Sequence, residues 1–442
     1  MLEVGMRSGR GWLQRFLVGA VGLAALAATG MAIAAVEAQA NAASITGIAR
    51  VDDVPGLSIT RTTRIEEIGH KLDPFYAALD AAAHDKGIAR IAYYGDSHVA
   101  SDDYTAPLRT LLQQRFGAAG LGFVLPAKAE RWYRRVGLSM APAQGFRAER
   151  VRERTPQTLP LGLYGLALHS DASSVATTRI STSSAQAAFG ASRVQLYYGL
   201  REGGGSMEVR FDEREARVVS TDGAAGEYKR LDFKGTDGPH SLEVATRGDG
   251  PVTLLGAVFE RDRPGVVLDM LGIPGARARS QLQWNRPLRR KMLEERKPQL
   301  VVLAYGTNEA GDDDSMASYE VALRGVVTHL RADSPNAACL LVGPTDRPIR
   351  NGRTITERPR VREISQVQRR VARSLGCGFF DTQQFMGGPG SMRRWVQSRP
   401  ALGAPDHVHL TAAGYRALGH ELFAAIEHGY LDYARRLGGK PR

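Results

Sequence analysis

Apolar positions recur at helical spacing between residues 60 and 83, at Ile65, Ile68, Leu72, Phe75, Tyr76 and Leu79, until Gly87 interrupts the pattern. The next run, Ile88 to Tyr94, is apolar enough for a buried strand and passes directly into Gly95-Asp96-Ser97-His98. Leu108, Leu111, Leu112 and Phe116 then predict a second helix. Between about residues 119 and 262 helical periodicity fades. Short alternating or β-branched runs take over, clearest at Val194 to Leu200, Met207 to Phe211, Ser241 to Ala245 and Val252 to Phe259. From 263 to 430 apolar strands at Val266 to Asp269, Leu300 to Tyr305, Cys339 to Val342 and Gly378 to Asp381 again alternate with helical stretches. The pattern predicts an α/β domain with a parallel sheet, in two parts at 44–118 and 263–430, interrupted by an antiparallel β-sandwich over 119–262. A basic tail is expected over 431–442.

The N-terminus has a different character. Arg7, Arg10 and Arg15 precede an apolar run from Phe16 to Val36 and small residues around Ala38-Gln39-Ala40. Residues 1–43 therefore read as a signal peptide, with an uncleaved membrane anchor as the second reading. Either way the remainder is expected outside the cytoplasm, periplasmic or associated with the cell envelope.

Lys plus Arg exceed Asp plus Glu by 12 in a chain of 442 residues, which favours anionic surfaces or polymers. No basic cluster interleaves with aromatics and no nucleic-acid motif occurs, so nucleic acid is not an expected partner. The two cysteines, Cys339 and Cys377, rule out a disulfide scaffold, and sequence alone leaves open whether they pair.

A serine nucleophile needs a base, a group to orient that base, and donors for the oxyanion. Ser97 follows a strand; Asp406 and His409 stand three apart; Asn308 in Gly306-Thr307-Asn308-Glu309 and Gly275 in Gly272-Ile273-Pro274-Gly275-Ala276 each follow other strands. The N–H groups of Ser97 and Gly275 and the Asn308 amide are the candidate oxyanion donors. Beside the triad, His98 is expected to pack or hydrogen-bond and His407 to face solvent. Asp312, Asp313 and Asp314 are expected in a solvated loop rather than around a metal. Trp284, Trp395 and Tyr305 admit either a sugar platform or the core. Val99 excludes the GxSxG elbow of α/β-hydrolases.

In this order the motifs resemble those of the SGNH (GDSL-like) hydrolases. The resemblance implies a three-layer, flavodoxin-like fold, Ser97, Asp406 and His409 as catalytic triad, Ser97, Gly275 and Asn308 as oxyanion hole, and neither metal nor organic cofactor. Glu309 stands where many members have Asp. The stretches Tyr93-Tyr94-Gly95-Asp96-Ser97-His98, Leu271-Gly272-Ile273-Pro274-Gly275-Ala276, Tyr305-Gly306-Thr307-Asn308-Glu309-Ala310, Met386-Gly387-Gly388-Pro389-Gly390-Ser391 and Asp406-His407-Val408-His409-Leu410-Thr411 are similar to exported peptidoglycan O-acetylesterases and related acetyltransferases. Pro274 replaces an expected polar residue. Several such esterases carry a carbohydrate-binding-like β-sandwich where this chain has its insertion. The implied partner is an O-acetylated polysaccharide, peptidoglycan foremost, and the implied activity deacetylation. Acetyl transfer by the same triad, or glycan binding without catalysis, are the competing readings.

Overall fold

The computed structural model describes residues 63–151, 160–183, 189–352 and 354–438. The expected leader or anchor at 1–43 lies outside them, and among the described residues no helix is long and apolar enough to cross a membrane.

Five parallel strands form the central sheet: β1 (Ile88–Gly95), β2 (Gly265–Gly272), β3 (Leu300–Ala304), β4 (Ala338–Val342) and β5 (Gly378–Phe380), in the order β2-β1-β3-β4-β5. This is a flavodoxin-like order, which reverses direction beside β1. The six longest helices flank the sheet: α1 (Asp73–Ala83), α2 (Thr105–Phe116), α3 (Arg286–Arg296), α4 (Met316–Asp333), α5 (Pro359–Leu375) and α6 (Ala412–Arg436). Helices α1, α2 and α6 pack on one another, as do α3 with α4 and α4 with α5. Strands covered on both faces read as continuous apolar runs, which is why β2 is buried along its whole length.

Two sequence expectations are corrected here. Residues 63–69 are not helical: Glu66 pairs through its backbone with Phe379, covering the free edge of β5, and Pro74 sets the start of α1. Residues 431–436 belong to helix α6 and form no separate tail. Helix α6 runs to Arg436 because Tyr430 and Ala434 stay buried, and Arg436 pairs with Asp73 at 2.7 Å. Cys339 and Cys377 are bridged, tying β4 to the residue preceding β5.

After α2 the chain leaves the parallel sheet for two antiparallel sheets and returns at β2. Strand Ser206–Phe211 of one sheet alternates buried and accessible positions, so that Met207, Val209 and Phe211 face inward. Phe211 stacks on Phe233 of the other sheet, ring centroids 5.3 Å apart, as two packed inner faces require. A buried ionic group joins this insert to the parallel sheet. Arg296, at the end of α3, pairs with Glu260 of the insert and with Asp269 of β2, each at 2.7 Å. Arg90 of β1 and Arg193 of the insert complete the neutralisation of Glu260, at 3.0 and 2.5 Å.

Candidate active site

Strand register sets the geometry of the site. Gly95 lies opposite Gly272 on one side and Ala304 on the other, so β1, β2 and β3 end in one row. Whatever follows each strand projects over the same C-terminal edge, where ligands of open α/β sheets bind. Ser97, Gly275 and Asn308 follow β1, β2 and β3 in turn. Close packing holds the first segment in place. A Cβ on Gly95 would meet Val99 at 2.2 Å, and one on Gly272 would meet the Ala100 nitrogen at 2.4 Å, so both glycines are needed for the short helix Ser97–Ala100 to sit on the strand ends. Asp96 caps that helix, its Oδ1 accepting from the His98 N–H at 3.0 Å. Burial pushes the Asp96 carboxyl up to about 7, against the lowering effect of that hydrogen bond.

His409 arrives from the loop before α6. Its Nε2 lies 3.0 Å from Ser97 Oγ and its Nδ1 lies 2.7 Å from Asp406 Oδ2. The turn closes on itself, since Asp406 Oδ1 accepts from the N–H groups of Val408 and His409 at 2.9 and 3.0 Å. Burial alone would raise the Asp406 carboxyl. The hydrogen bond with the His409 ring and those from the two N–H groups outweigh it and bring the carboxyl to about 2. An ionised Asp406 fixes the tautomer with the proton on Nδ1, leaving Nε2 free to accept from the serine.

Gly275 has φ +77° and open space where a Cβ would stand, so its backbone is accessible to a ligand. Neither the Ser97 nor the Gly275 N–H donates to another of the described residues. Asn308 Nδ2 donates to Ala276 O at 2.9 Å, which pins the amide beside the Gly275 loop, and lies 3.5 Å from Asp96 Oδ2. All five residues singled out in the sequence therefore meet at one edge. Replacing Asn308 by alanine is expected to lower kcat for a small acetyl ester by about a hundredfold or more, and steady-state kinetics will measure it.

Glu309, read from the sequence as outside the donor set, has a larger part than that reading gave it. It is buried; its Oε1 accepts from the Ala278 N–H at 2.8 Å and its Oε2 from the Gly306 N–H at 3.0 Å. One carboxylate thus clamps the loop carrying Gly275 to the loop carrying Asn308. Arg347 adds a bond from Nη1 to Thr307 O at 2.5 Å. A charged residue directly after Asn308 was the available signal, without any indication of its direction.

The neighbouring residues sort clearly. His98 is buried, its ring 5.2 Å from that of His409 and its Nδ1 2.9 Å from the Tyr415 hydroxyl. Burial, then the neighbouring His409, pushes it down to about 3, so it is neutral at neutral pH. His407 is half-buried rather than facing solvent, because its positive φ of 57° turns it back at the tight Asp406–His409 bend. Asp312 and Asp314 are not simply solvated: Asp312 pairs with Arg277 at 2.5 Å and with Arg279 at 3.3 Å, and Asp314 pairs with Arg279. Trp284, Trp395 and Tyr305 are core residues, and the two indole N–H groups donate to the Gly162 and Met386 carbonyls. Among the described residues no cluster of His, Cys, Asp and Glu has the arrangement to hold a metal ion.

The GDSL-like lipase/acylhydrolase family model matches residues 235–417, a span that holds Gly275, Asn308, Asp406 and His409, with Ser97 before it across the insert. A solved peptidoglycan O-acetylesterase is 26% identical, covering 83% of this chain and 99% of its own, with a TM-score of 0.69. A family two carbohydrate esterase from Cellvibrio japonicus is 12% identical over 67% of this chain and 99% of its own, with a TM-score of 0.27. No curated protein matches the chain. On these grounds residues 235–417 are similar to the GDSL-like acylhydrolases, the chain as a whole is similar to a peptidoglycan O-acetylesterase, and the protein is a carboxylic ester hydrolase.

Proposed function

We propose that the protein removes O-acetyl groups from a cell-envelope glycan, peptidoglycan foremost, outside the cytoplasm and through an acetyl-enzyme. The observation that carries this reading is the continuous series from Asp406 through His409 to Ser97, at 2.7 and 3.0 Å, on the ligand-binding edge of the sheet. Likeness to a peptidoglycan O-acetylesterase over most of both chains supports the substrate class, and the signal-like N-terminus supports export.

Ser97 Oγ attacks the acetyl carbonyl while His409 Nε2 takes its proton. The tetrahedral oxyanion is met by the N–H groups of Ser97 and Gly275 and by the Asn308 amide. Collapse expels the sugar oxygen, which receives the proton from His409. Water, deprotonated by His409, then attacks the acetyl-serine, and acetate leaves as Ser97 regains its proton. Throughout, the Asp406 carboxylate stabilises the imidazolium that forms twice in each cycle.

The test is acetate release from O-acetylated peptidoglycan and acetylated xylan, with a chitooligosaccharide present as acetyl acceptor. The expected result is free acetate as the main product and a higher kcat/KM on peptidoglycan. Preference for xylan would overturn the substrate assignment, and dominant acetyl transfer to the oligosaccharide would overturn hydrolysis.

A further inference from the structure

Most of the large aromatic side chains in the described part of the chain are accounted for by the core, and Trp132 stands apart. It is 64% exposed, whereas Trp284 and Trp395 are buried and hydrogen-bonded to backbone. Exposing an indole sacrifices the burial that makes tryptophan useful to a core, so its surroundings decide whether the position means anything. Trp132 sits at the tip of a turn, Glu130 to Tyr133, closed by the Tyr133 N–H donating to Glu130 O at 3.0 Å. Glu130, Tyr133, Arg134 and Arg135 around it each have a partner elsewhere in the chain. Tyr133 is buried against Tyr164, and its hydroxyl accepts from the Leu125 N–H at 2.9 Å. Arg135 is buried, paired with Asp102 at 3.2 Å and bonded to Leu268 O at 2.6 Å. The turn is closed by a backbone hydrogen bond while its indole is left in water.

Its position relative to the chemistry follows from two further ties. Arg134 makes two bonds to the Asp103 carboxylate, at 3.0 and 2.9 Å, just beyond the helix that begins with Ser97. Glu130 pairs at 3.2 Å with Arg150, which donates to Pro274 O at 3.0 Å, beside Gly275. One turn of the β insert thereby abuts both the nucleophile segment and the oxyanion loop. The Arg131 guanidinium lies 5.2 Å from the Trp132 ring centre, orienting the indole and offering a charged hydrogen-bond donor alongside it.

We propose that Trp132 is a substrate-binding residue at the rim of the site, a platform for a pyranose ring of the glycan whose acetyl group reaches Ser97. An indole face accepts the apolar C–H face of a sugar, and the polar groups of Arg131, Arg134 and Asp103 around it suit ring hydroxyls. This assignment rests on the glycan reading given above. It makes the insert a contributor to the active site as well as a neighbouring domain.

The test compares the full chain with its Trp132→Ala and Trp132→Phe variants. The ratio of kcat/KM on O-acetylated peptidoglycan to that on 4-nitrophenyl acetate is expected to fall about three- to tenfold in Trp132→Ala through a raised KM on the polymer, with Trp132→Phe in between. In parallel, chitohexaose is expected to shift the tryptophan emission of the wild type to the blue and to leave that of Trp132→Ala in place. If the wild type releases acetate from peptidoglycan and the ratio is unchanged in Trp132→Ala, the platform is overturned while the deacetylase reading stands. An equal fall on both substrates would also overturn it, by making the turn a purely structural element. If the wild type acts on no glycan, the substrate reading fails, and absence of a Trp132-dependent emission shift then overturns the platform too.

Discussion

Ser97→Ala is expected to reduce turnover of 4-nitrophenyl acetate by at least about ten-thousandfold while leaving the fold unchanged. The two halves of this expectation have separate grounds. In the proposed cycle the Ser97 hydroxyl oxygen bonds to the acyl carbon, so in the variant water would have to replace it without the proximity that the strand-end helix provides. The side chain is half-buried and bonds to His409 alone among the described residues, so its loss strands no buried polar group. Unfolding free energy should change by no more than about 0.5 kcal/mol. Circular dichroism and denaturant titration check the second half, and initial rates the first. A variant that is folded and fully active would remove the nucleophile from the scheme.

Arg296→Ala is expected to destabilise the protein by about 3–5 kcal/mol, because it leaves the buried Glu260 and Asp269 carboxylates without their shared cation. The effect should depend on pH. Burial by itself would raise the Glu260 carboxyl, but Arg296, Arg90 and Arg193 hold it down at about 2 against an ordinary value of 4.5. A carboxyl depressed in the folded state stabilises above its unfolded value, and that contribution is lost as pH falls through the folded one. Wild-type stability should therefore decline from about pH 4.5 towards pH 2, and the gap between wild type and variant should narrow over the same window. Urea unfolding at several pH values measures both. A deficit independent of pH would mean that lost packing around the Arg296 stem, and not its charge, dominates.

Much of this site could be read from the sequence because its parts follow apolar strands. The β1, β2, β3, β4 and β5 segments are buried on both faces, so each stands out as a short hydrophobic run, and a residue just past such a run projects over the sheet edge. Ser97, Gly275 and Asn308 needed no more than that. The insert was harder to read where its strands bury little. Tyr228–Gly238 buries Phe233 alone and Arg217–Ser220 buries nothing, so neither shows the alternation that marks Ser206–Phe211. Residues 63–69 misled for the opposite reason: apolar spacing suited to a helix was spent covering a strand edge, a partnership set by tertiary structure.

Polar residues with structural parts were the least legible. Glu309, through Ala278, and Arg347, through Thr307, act on backbone groups of other loops, and nothing in local sequence announces a partner that folding brings near. The same holds for Asp312 and Asp314, whose arginine partners lie 33 or 35 positions away. The turn bearing Trp132 takes its meaning from Asp103 and Pro274, both distant in the chain. Periodicity reports burial, and these residues differ in what they bond to.

In the proposed cycle Ser97, activated by His409 and Asp406, carries the acetyl group between glycan and water. The most direct test of that role is rapid quenching of the full-length protein during turnover of O-acetylated peptidoglycan fragments, followed by mass spectrometry of the peptide that contains Ser97. One acetyl group is expected on Ser97 during turnover, and its loss, with matching free acetate, once substrate is exhausted. Acetate released by the Ser97→Ala variant at the wild-type rate, or wild-type turnover with no acetyl group on Ser97 at any time, would contradict that role.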